Sequence, residues 1–323
     1  MGKLQAPLVA NLLNLHAFFD YFNQQGIAWQ AVARQCQFPH PDNMVQWLTL
    51  SQVLRFFQRL PEARSRPLGA EAGLQVDLVL LAPSLMVAER QPSGLADGIR
   101  ALLQHLPNLS SHVQVWVEAS GDGWRLCHRG QLRPETPGVE QLEWFRTASL
   151  IRYCQHFLGP DWWPAWLAQS CPAPGYPLPE PLSRIPTDYD QAVASLPLPL
   201  PEDFVPLPLP AGPTPLARLQ ALANTYACYP GFTLTWFARL LGLSSRSLQR
   251  QLAAAGMTFR DLRDRARHEQ ALRLLALPDL AMEEIAWRCG YSDLANFNRA
   301  FVGWAGLRPA SYRRSVTEKI GAN

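Results

Sequence analysis

Lysine is nearly absent from this chain: of 29 basic residues, all but Lys3 and Lys319 are arginine. Charge is sparse overall, at 17% against 48% hydrophobic residues. That balance excludes a disordered polypeptide, and a length of 323 residues leaves room for two domains. Long hydrophobic runs are missing as well, so no segment reads as a membrane-spanning helix and no membrane partner is expected. The opening MGKLQAPLVANLLNLH lacks the basic start and cleavage site of a secretory signal, and Ala6 stands where a myristoylation signal has Ser or Thr. The cysteines (Cys36, Cys127, Cys154, Cys171, Cys228 and Cys289) form no C-x-x-C pair and have no His at metal-ligand spacing. This pattern excludes a zinc-thiolate site and fits a reduced, cytoplasmic protein with free thiols. Catalytic signatures are lacking too: there is no G-x-S-x-G, no P-loop, no G-x-G-x-x-G and no H-E-x-x-H. The expectation is a protein that is not an enzyme and holds neither cofactor nor metal.

The arginines that are present are unevenly placed. From Pro215 to Asn323 there are 15 Lys+Arg against 8 Asp+Glu, a balance of +7, while the first 214 residues stand at −4. A basic final third is the charge distribution of a nucleic-acid-binding module. Arginine also suits bidentate contacts to phosphate or guanine, although GC-rich coding produces the same bias.

Proline marks the division of the chain. Residues 172–215 hold 14 of the 29 prolines, including LPLPLPEDFVPLPLPAGPTP. Because proline fixes φ and disfavours helix in the residue before it, this segment is expected to be extended. Leu196, Leu198, Leu200, Leu207 and Leu209 are too apolar for a purely solvated linker and suggest an edge strand packed on what precedes it. The division expected is a first domain over 1–171, the Pro-rich segment and linker over 172–215, and a second domain over 216–323. In the first domain, Leu8–Asn23, Ser51–Leu60, Gly94–Leu106 and Leu142–Leu158 have helical apolar spacing. Between them HVQVWVEASGDGWRLCHRG alternates with period two and turns at Gly121-Asp122-Gly123. Helices around an antiparallel hairpin predict an α+β domain.

The final third reads as all-helical, and it repeats itself. Thr233–Leu241, Ser244–Ala255, Thr258–Leu277, Ala281–Arg288 and Asp293–Trp304 each have helical spacing, with Thr258 and Asp261 as a capping box for the long middle helix. Gly242-Leu243-Ser244 separates the first two helices and Gly290-Tyr291-Ser292 the last two. A short Gly-containing turn between two helices is the helix-turn-helix signature; it occurs here at about 233–255 and again at about 281–304. In each unit glycine supplies the left-handed residue that ends one helix, and Ser or Asp caps the next. Leu248 and Leu252 face inward with Phe237 and Leu241, leaving Arg246, Gln249 and Arg250 outward. Phe297 and Phe301 face inward with Ile285 and Ala286, leaving Ala295, Asn296 and Arg299 outward. Arg reads guanine, and Gln or Asn reads adenine, from the major groove. Ser244, Ser247 and Arg313 are candidates for phosphate contacts, which position a protein on the duplex without specifying sequence. The bland alternative is a protein-binding helical bundle with solvated arginines; two tandem units with a basic balance argue against it.

At Leu248-Gln249-Arg250, Ile285-Ala286, Gly290-Tyr291-Ser292-Asp293, Phe297, Arg299-Ala300-Phe301, Gly306, Pro309 and Tyr312-Arg313, the chain resembles the DNA-binding domain of AraC-type transcription regulators. The resemblance covers roughly the last hundred residues. It implies two helix-turn-helix units joined by a long helix, with recognition helices in successive major-groove segments of double-stranded promoter DNA. It implies base contacts at Arg246, Gln249, Arg250, Asn296 and Arg299, an activator, and RNA polymerase as a partner. Trp236, Trp287 and Ala295 depart from the family pattern, a difference that bears on base preference and leaves the docking mode intact.

Residues 7–170 resemble, more loosely, the sensing domain of one AraC-type subgroup, through SGLADGIRALLQHLPNLS, the hairpin and FLGPDWWPAWL. That resemblance implies a small-molecule effector, a homodimer, or both. Trp116, Trp124, Trp144, Trp162, Trp163 and Trp166 are candidates to line an apolar pocket, with His112, His128 or Arg125 orienting a carboxylate; the simpler reading makes most of these aromatics core. Two alternatives stand beside a ligand-controlled regulator: a ligand-independent regulator with a structural first domain, and a small-molecule enzyme fused to a DNA-binding module.

Overall fold

The computed structural model describes residues 7–39, 46–78, 92–108, 110–121 and 123–320, side chains of 316–320 excepted. The chain forms two compact units, one spanning Leu8–Pro213 and one built on Thr214–Asn323.

In the first unit, β1 (Val9–Asn11) pairs antiparallel with β2 (Trp47–Thr49), and α1 (Leu13–Gln24) follows β1 directly. The helix therefore starts later than the apolar spacing from Leu8 predicts. Asn11 explains the delay: its side-chain oxygen accepts from the Leu13 amide at 3.0 Å, an N-cap-like bond that opens the helix beyond it. Then come α2 (Gln30–Gln35), α3 (Leu50–Arg59), α4 (Leu68–Leu74), α5 (Leu95–His105) and α6 (Val139–Leu158). Aromatics from α1 and α3, including Phe18, Phe22, Phe56 and Phe57, fill the space between helices in edge and tilted contacts. The α4–α6 crossing is unusually close. A Cβ at Gly69 would lie 1.9 Å from the Gln141 carbonyl oxygen, so glycine is required there, and the Gln141 side chain in turn accepts from the Gly69 amide at 2.8 Å.

A five-stranded sheet in the order β3-β4-β7-β5-β6 completes this unit. The expected hairpin is β3 (Val113–Ser120) with β4 (Gly123–Gly130), in register from Val113↔Gly130 to Ser120↔Gly123; Asp122 of its turn lies outside the described residues. Strands β5 (Leu167–Ala168), β6 (Thr187–Asp188) and β7 (Ala194–Leu198) come later in the chain. Two features differ from expectation. The Pro-rich stretch contributes β7 to the middle of the sheet, with Leu196 and Leu198 buried, rather than an edge strand. Proline is tolerated because β5 pairs with β7 only at Ala168↔Ser195, so Pro197 has lost its neighbour on that side and its missing N–H breaks no ladder there. The same stretch is also not extended throughout: Leu182–Arg184 form a single 3-10 turn that buries Leu182.

The second unit is helical: α7 (Pro215–Tyr226), α8 (Leu234–Leu240), α9 (Ser245–Ala254), α10 (Phe259–Leu275), α11 (Met282–Arg288), α12 (Leu294–Ala305) and α13 (Pro309–Ile320). Five of these follow the sequence spacing; α7 and α13 were not anticipated. All six cysteines are free, and burial holds thiols such as Cys154 and Cys289 protonated, pushed up to about 12. No described helix is long and apolar enough to cross a membrane.

Candidate nucleic-acid interface

Two pairs of helices, α8–α9 and α11–α12, are strung on α10. At about 1.5 Å per residue, the 17 residues of α10 span about 25 Å. Its start is set by a complete capping box: Thr258 Oγ1 accepts from the Asp261 amide at 3.1 Å, and Asp261 Oδ2 accepts from the Thr258 amide at 2.9 Å. Those bonds to the charged form hold the Asp261 carboxyl below its ordinary range. At this end Phe259 stacks on Phe232, with centroids 5.3 Å apart, and contacts Phe237 of the first pair. At the other end Ala271, Leu274 and Leu275 share a core with Ile285, Ala286, Phe297 and Phe301 of the second pair. One helix thus anchors both pairs through opposite ends.

In the first pair, Thr233 caps α8 by accepting from the Trp236 amide at 3.2 Å, and Ser244 caps α9 by accepting from the Ser247 amide at 3.1 Å. Gly242, at φ +70, makes the reversal between them. Phe237, Ala238, Leu248 and Leu252 are buried. The inward residue at the end of α8 is Leu240 rather than Leu241, which is half-buried; both lie one turn beyond Phe237, and Leu240 takes the deeper place. Arg246, Gln249 and Arg250 are exposed, and among the described residues no ion pair or hydrogen bond holds either guanidinium.

In the second pair α11 begins at Ala281 without a side-chain cap, while Asp293 caps α12 by accepting from the Asn296 amide at 2.7 Å. That amide bond leads the effects holding the Asp293 carboxyl below its usual range. Ile285, Ala286, Phe297 and Phe301 are fully or almost fully buried, as expected. Ala295, Asn296 and Arg299 are exposed, but their side chains are not independent. The Asn296 amide nitrogen donates to Asp293, and its oxygen accepts from Arg299 Nη2 at 2.5 Å. Asp293, Asn296 and Arg299 therefore form a chain one helical turn at a time along the outer face. Aligned on their caps, Ser244 matches Asp293, Leu248 matches Phe297, and Arg250 matches Arg299. By that register the counterpart of Gln249 is the half-buried Asn298, which the sequence reading passed over.

The remaining candidates lie around these faces. Ser244 Oγ, besides capping, donates to Ser247 Oγ at 2.9 Å. Arg313 is committed elsewhere: its two Nη atoms donate to the Leu280 and Pro278 carbonyls at 2.7 and 3.4 Å, bracing the approach to α11. Trp236 departs from the family pattern for a packing reason, since its ring meets Tyr226 and Phe232. Trp287 has no such reason and is 70% exposed. Arg267, not singled out from sequence, links the parts: its Nε donates to the Ala227 carbonyl at 2.9 Å and its guanidinium lies over Tyr291, 5.0 Å from the ring centre.

In the first unit none of the tryptophans expected to line a pocket borders the cavity next to His112. Trp144 is core, Trp124 packs on Phe204 and donates to the Pro201 carbonyl, and Trp116 donates to Glu118. Arg125 is paired with Glu118 rather than set to receive a carboxylate. His128 is buried against Thr147, at 2.9 Å, and burial holds it neutral. Of the residues proposed there, His112 lines a cavity of this unit. Among the described residues no His, Cys, Asp and Glu cluster could hold a metal ion.

A buried core, two capped helices with exposed Arg, Gln and Asn, and a connecting helix define a helix-turn-helix module. Residues 237–315 match the family described as a helix-turn-helix domain. The domain is of the AraC type. The chain is 37% identical over 105 residues to the HTH-type transcriptional regulator VirS of Mycobacterium tuberculosis, covering 32% of this chain and 31% of VirS. It is 41% identical over 78 residues to the ornithine utilization regulator of Pseudomonas aeruginosa, covering 24% of this chain and 23% of that protein. These matches span about a third or less of the relatives' length. The transcriptional regulator CdpR of Pseudomonas aeruginosa is a solved structure of similar extent, covering 94% of this chain and 98% of its own, at 19% identity and a TM-score of 0.38.

Proposed function

We propose that this chain is a sequence-specific transcription regulator that binds promoter DNA through two helix-turn-helix units, α8–α9 and α11–α12, with α9 and α12 in adjacent major-groove segments about one helical turn apart. The observation that supports it most directly is the matched pair of outward faces, with Arg250 and Arg299 at the same register on helices anchored to one rod. Arg246, Gln249, Arg250, Ala295, Asn296 and Arg299 form the base-facing set. Arg250 and Arg299 are the principal readers, Ala295 offers an apolar contact such as a thymine methyl accepts, and Ser244 and Ser247 sit where a helix N-terminus meets phosphate. Asn296 acts chiefly by holding Arg299 in place.

The first unit controls this activity by sensing a small molecule, by homodimerisation, or both, and the regulator acts as an activator that engages RNA polymerase. The family resemblance supports that reading. Gel-shift titration on promoter fragments at several salt concentrations tests the DNA-binding part: affinity should depend on sequence and fall steeply as salt rises, with counterion release from phosphates setting the slope. Equal binding to all sequences, or binding indifferent to salt, would overturn it.

A further inference from the structure

The first unit holds a cavity of about 140 Å³ whose walls are mostly apolar. One wall is a stripe along α6 with helical spacing: Leu142, Phe145, Arg146, Ser149 and Tyr153. Facing it are Leu15 and Phe18 of α1, Leu102 of α5, and Val115 and His112 of the sheet side. A guanidinium in such a wall needs a counter-charge, because burying an unpaired ion is among the most unfavourable arrangements a fold can hold. Among the described residues Arg146 makes no ion pair or hydrogen bond, and the Glu143 carboxylate acts on it through space. Its Nη1 is buried without a hydrogen-bond partner, and so is the Ser149 hydroxyl one turn along the same stripe. The nearest carboxylate in sequence, Glu143, is already occupied: it accepts from the Ser170 amide and hydroxyl, each at 2.5 Å, and from the Cys171 amide at 3.0 Å. The Arg146 charge reaches its surroundings. Burial and the Arg146 cation together push His112 down to about 4, so that residue is neutral at physiological pH and supplies no second positive charge.

We propose that this cavity binds a small organic monocarboxylate, its carboxylate on the Arg146 guanidinium and Ser149 hydroxyl and its apolar body against Leu15, Phe18, Leu102 and Val115. An anion supplies what the fold leaves out, and the fork of arginine matches a carboxylate in two hydrogen bonds. Size limits the rest of the molecule. An apolar cavity of about 150 Å³ accommodates benzene, so the ligand body is about one aromatic ring or a short alkyl chain, not a long acyl chain. The proposal rests on reading the first unit as a sensing unit and names the chemistry of what it senses.

The test uses the purified full chain and isothermal titration with benzoate and hexanoate, each beside its uncharged counterpart, benzyl alcohol and hexanol. At least one acid should bind at least about ten-fold more tightly than its alcohol, the scale set by leaving a buried charge unmatched. Arg146→Leu should remove that preference while leaving alcohol binding in place. It should melt no lower than the unaltered protein, because it deletes an unpaired buried charge. Ser149→Ala, a milder change, should weaken acid binding several-fold and guards against misfolding of the first variant. Neither acid binding, acid and alcohol binding alike, or acid binding unchanged in both variants overturns the proposal. Promoter affinity measured with and without the acid separates the two readings. Acid bound at Arg146 with promoter affinity unmoved would uphold the site and sink the sensing role; an uncharged effector that shifts promoter affinity without Arg146 would do the reverse.

Discussion

The two helix pairs of the second unit are built to one plan and stabilised differently. Both end their first helix on a left-handed glycine, and both begin the second on an oxygen that accepts from the third helical amide. In the first pair, Gly242 has open space where a Cβ would go, Thr233 caps the leading helix, and Arg250 stands clear of its neighbours. In the second, a Cβ on Gly290 would lie 2.8 Å from the Cys228 carbonyl oxygen and 3.1 Å from Arg267 Nη2, the leading helix has no cap, and Arg299 is tied to Asn296 and through it to Asp293. The second turn is also one residue longer between glycine and cap. The first pair therefore depends on its own local bonds, and the second on being docked against the end of α7 and the middle of α10. A repeated motif can keep its outer face while its means of support diverge.

The sharpest way to break this comparison is at the glycines. Alanine at either position must adopt a left-handed backbone, which costs about 1–2 kcal/mol. At position 242 nothing else is disturbed. At position 290 the added methyl also overlaps the Cys228 backbone carbonyl, just past the end of α7, for a total of about 2–4 kcal/mol. Denaturant unfolding of Gly242→Ala and Gly290→Ala should show the second as clearly the more damaging. Equal losses would mean that the second pair is no more dependent on docking than the first.

Next in size are the arginines at matched register. Arg250→Ala and Arg299→Ala should each weaken binding at the preferred site by about 1–3 kcal/mol and relax preference at a different base step. A variant that weakens every sequence equally has lost a phosphate contact instead. Asn296→Ala refines the contrast. With its tether removed, Arg299 must be ordered on binding, and the expected loss is about 1 kcal/mol. In a double-variant cycle, Asn296→Ala should add little once Arg299 is gone, since its effect runs through that residue. Full additivity would make Asn296 a base reader in its own right.

How much of this was legible beforehand depended on how local the cause was. Caps, left-handed glycines and the apolar pairs Leu248/Leu252 and Phe297/Phe301 act within one or two helical turns, and the spacing exposed them. The Asp293–Asn296–Arg299 chain is equally local and was there to be read, because residues three apart on a helix face each other. Long-range causes were hidden. Nothing near Pro197 says that β5 is too short to need its N–H, and nothing near Gly69 says that α6 passes within contact distance. The first unit shows the clearest miss. Its tryptophans and surface arginine drew attention, yet they are packing and ion-pair residues, while Arg146 went unremarked inside a helix that reads as ordinary. The available signal was a single charge at Arg146 on the same helical stripe as Leu142, Phe145, Ser149 and Tyr153.

The smallest expected effect tests whether the missing cap of the second pair is a real difference or an indifferent one. Ala281 already has the extended backbone of a capping residue, φ −62 and ψ 147, and is exposed, so a serine there would meet no obstruction. The third helical residue is Glu284, which would complete a Ser-x-x-Glu box by reaching back to the position 281 amide. Glu284 now pairs with Arg288 at 2.6 Å, and the two bonds compete for one carboxylate. An exposed pair one turn apart contributes only a few tenths of a kcal/mol, so the box should prevail. Ala281→Ser is therefore expected to stabilise by about 0.5–1 kcal/mol, and Thr233→Ala to destabilise by about 1 kcal/mol. Hydrogen exchange resolves where the gain falls: the amides at the start of α11 should slow, while those of α8 stay as they were. Slowing in both pairs together would show that α10 couples them into one cooperative unit, and the contrast between a self-supported and a docked pair would then describe their contacts but not their stability.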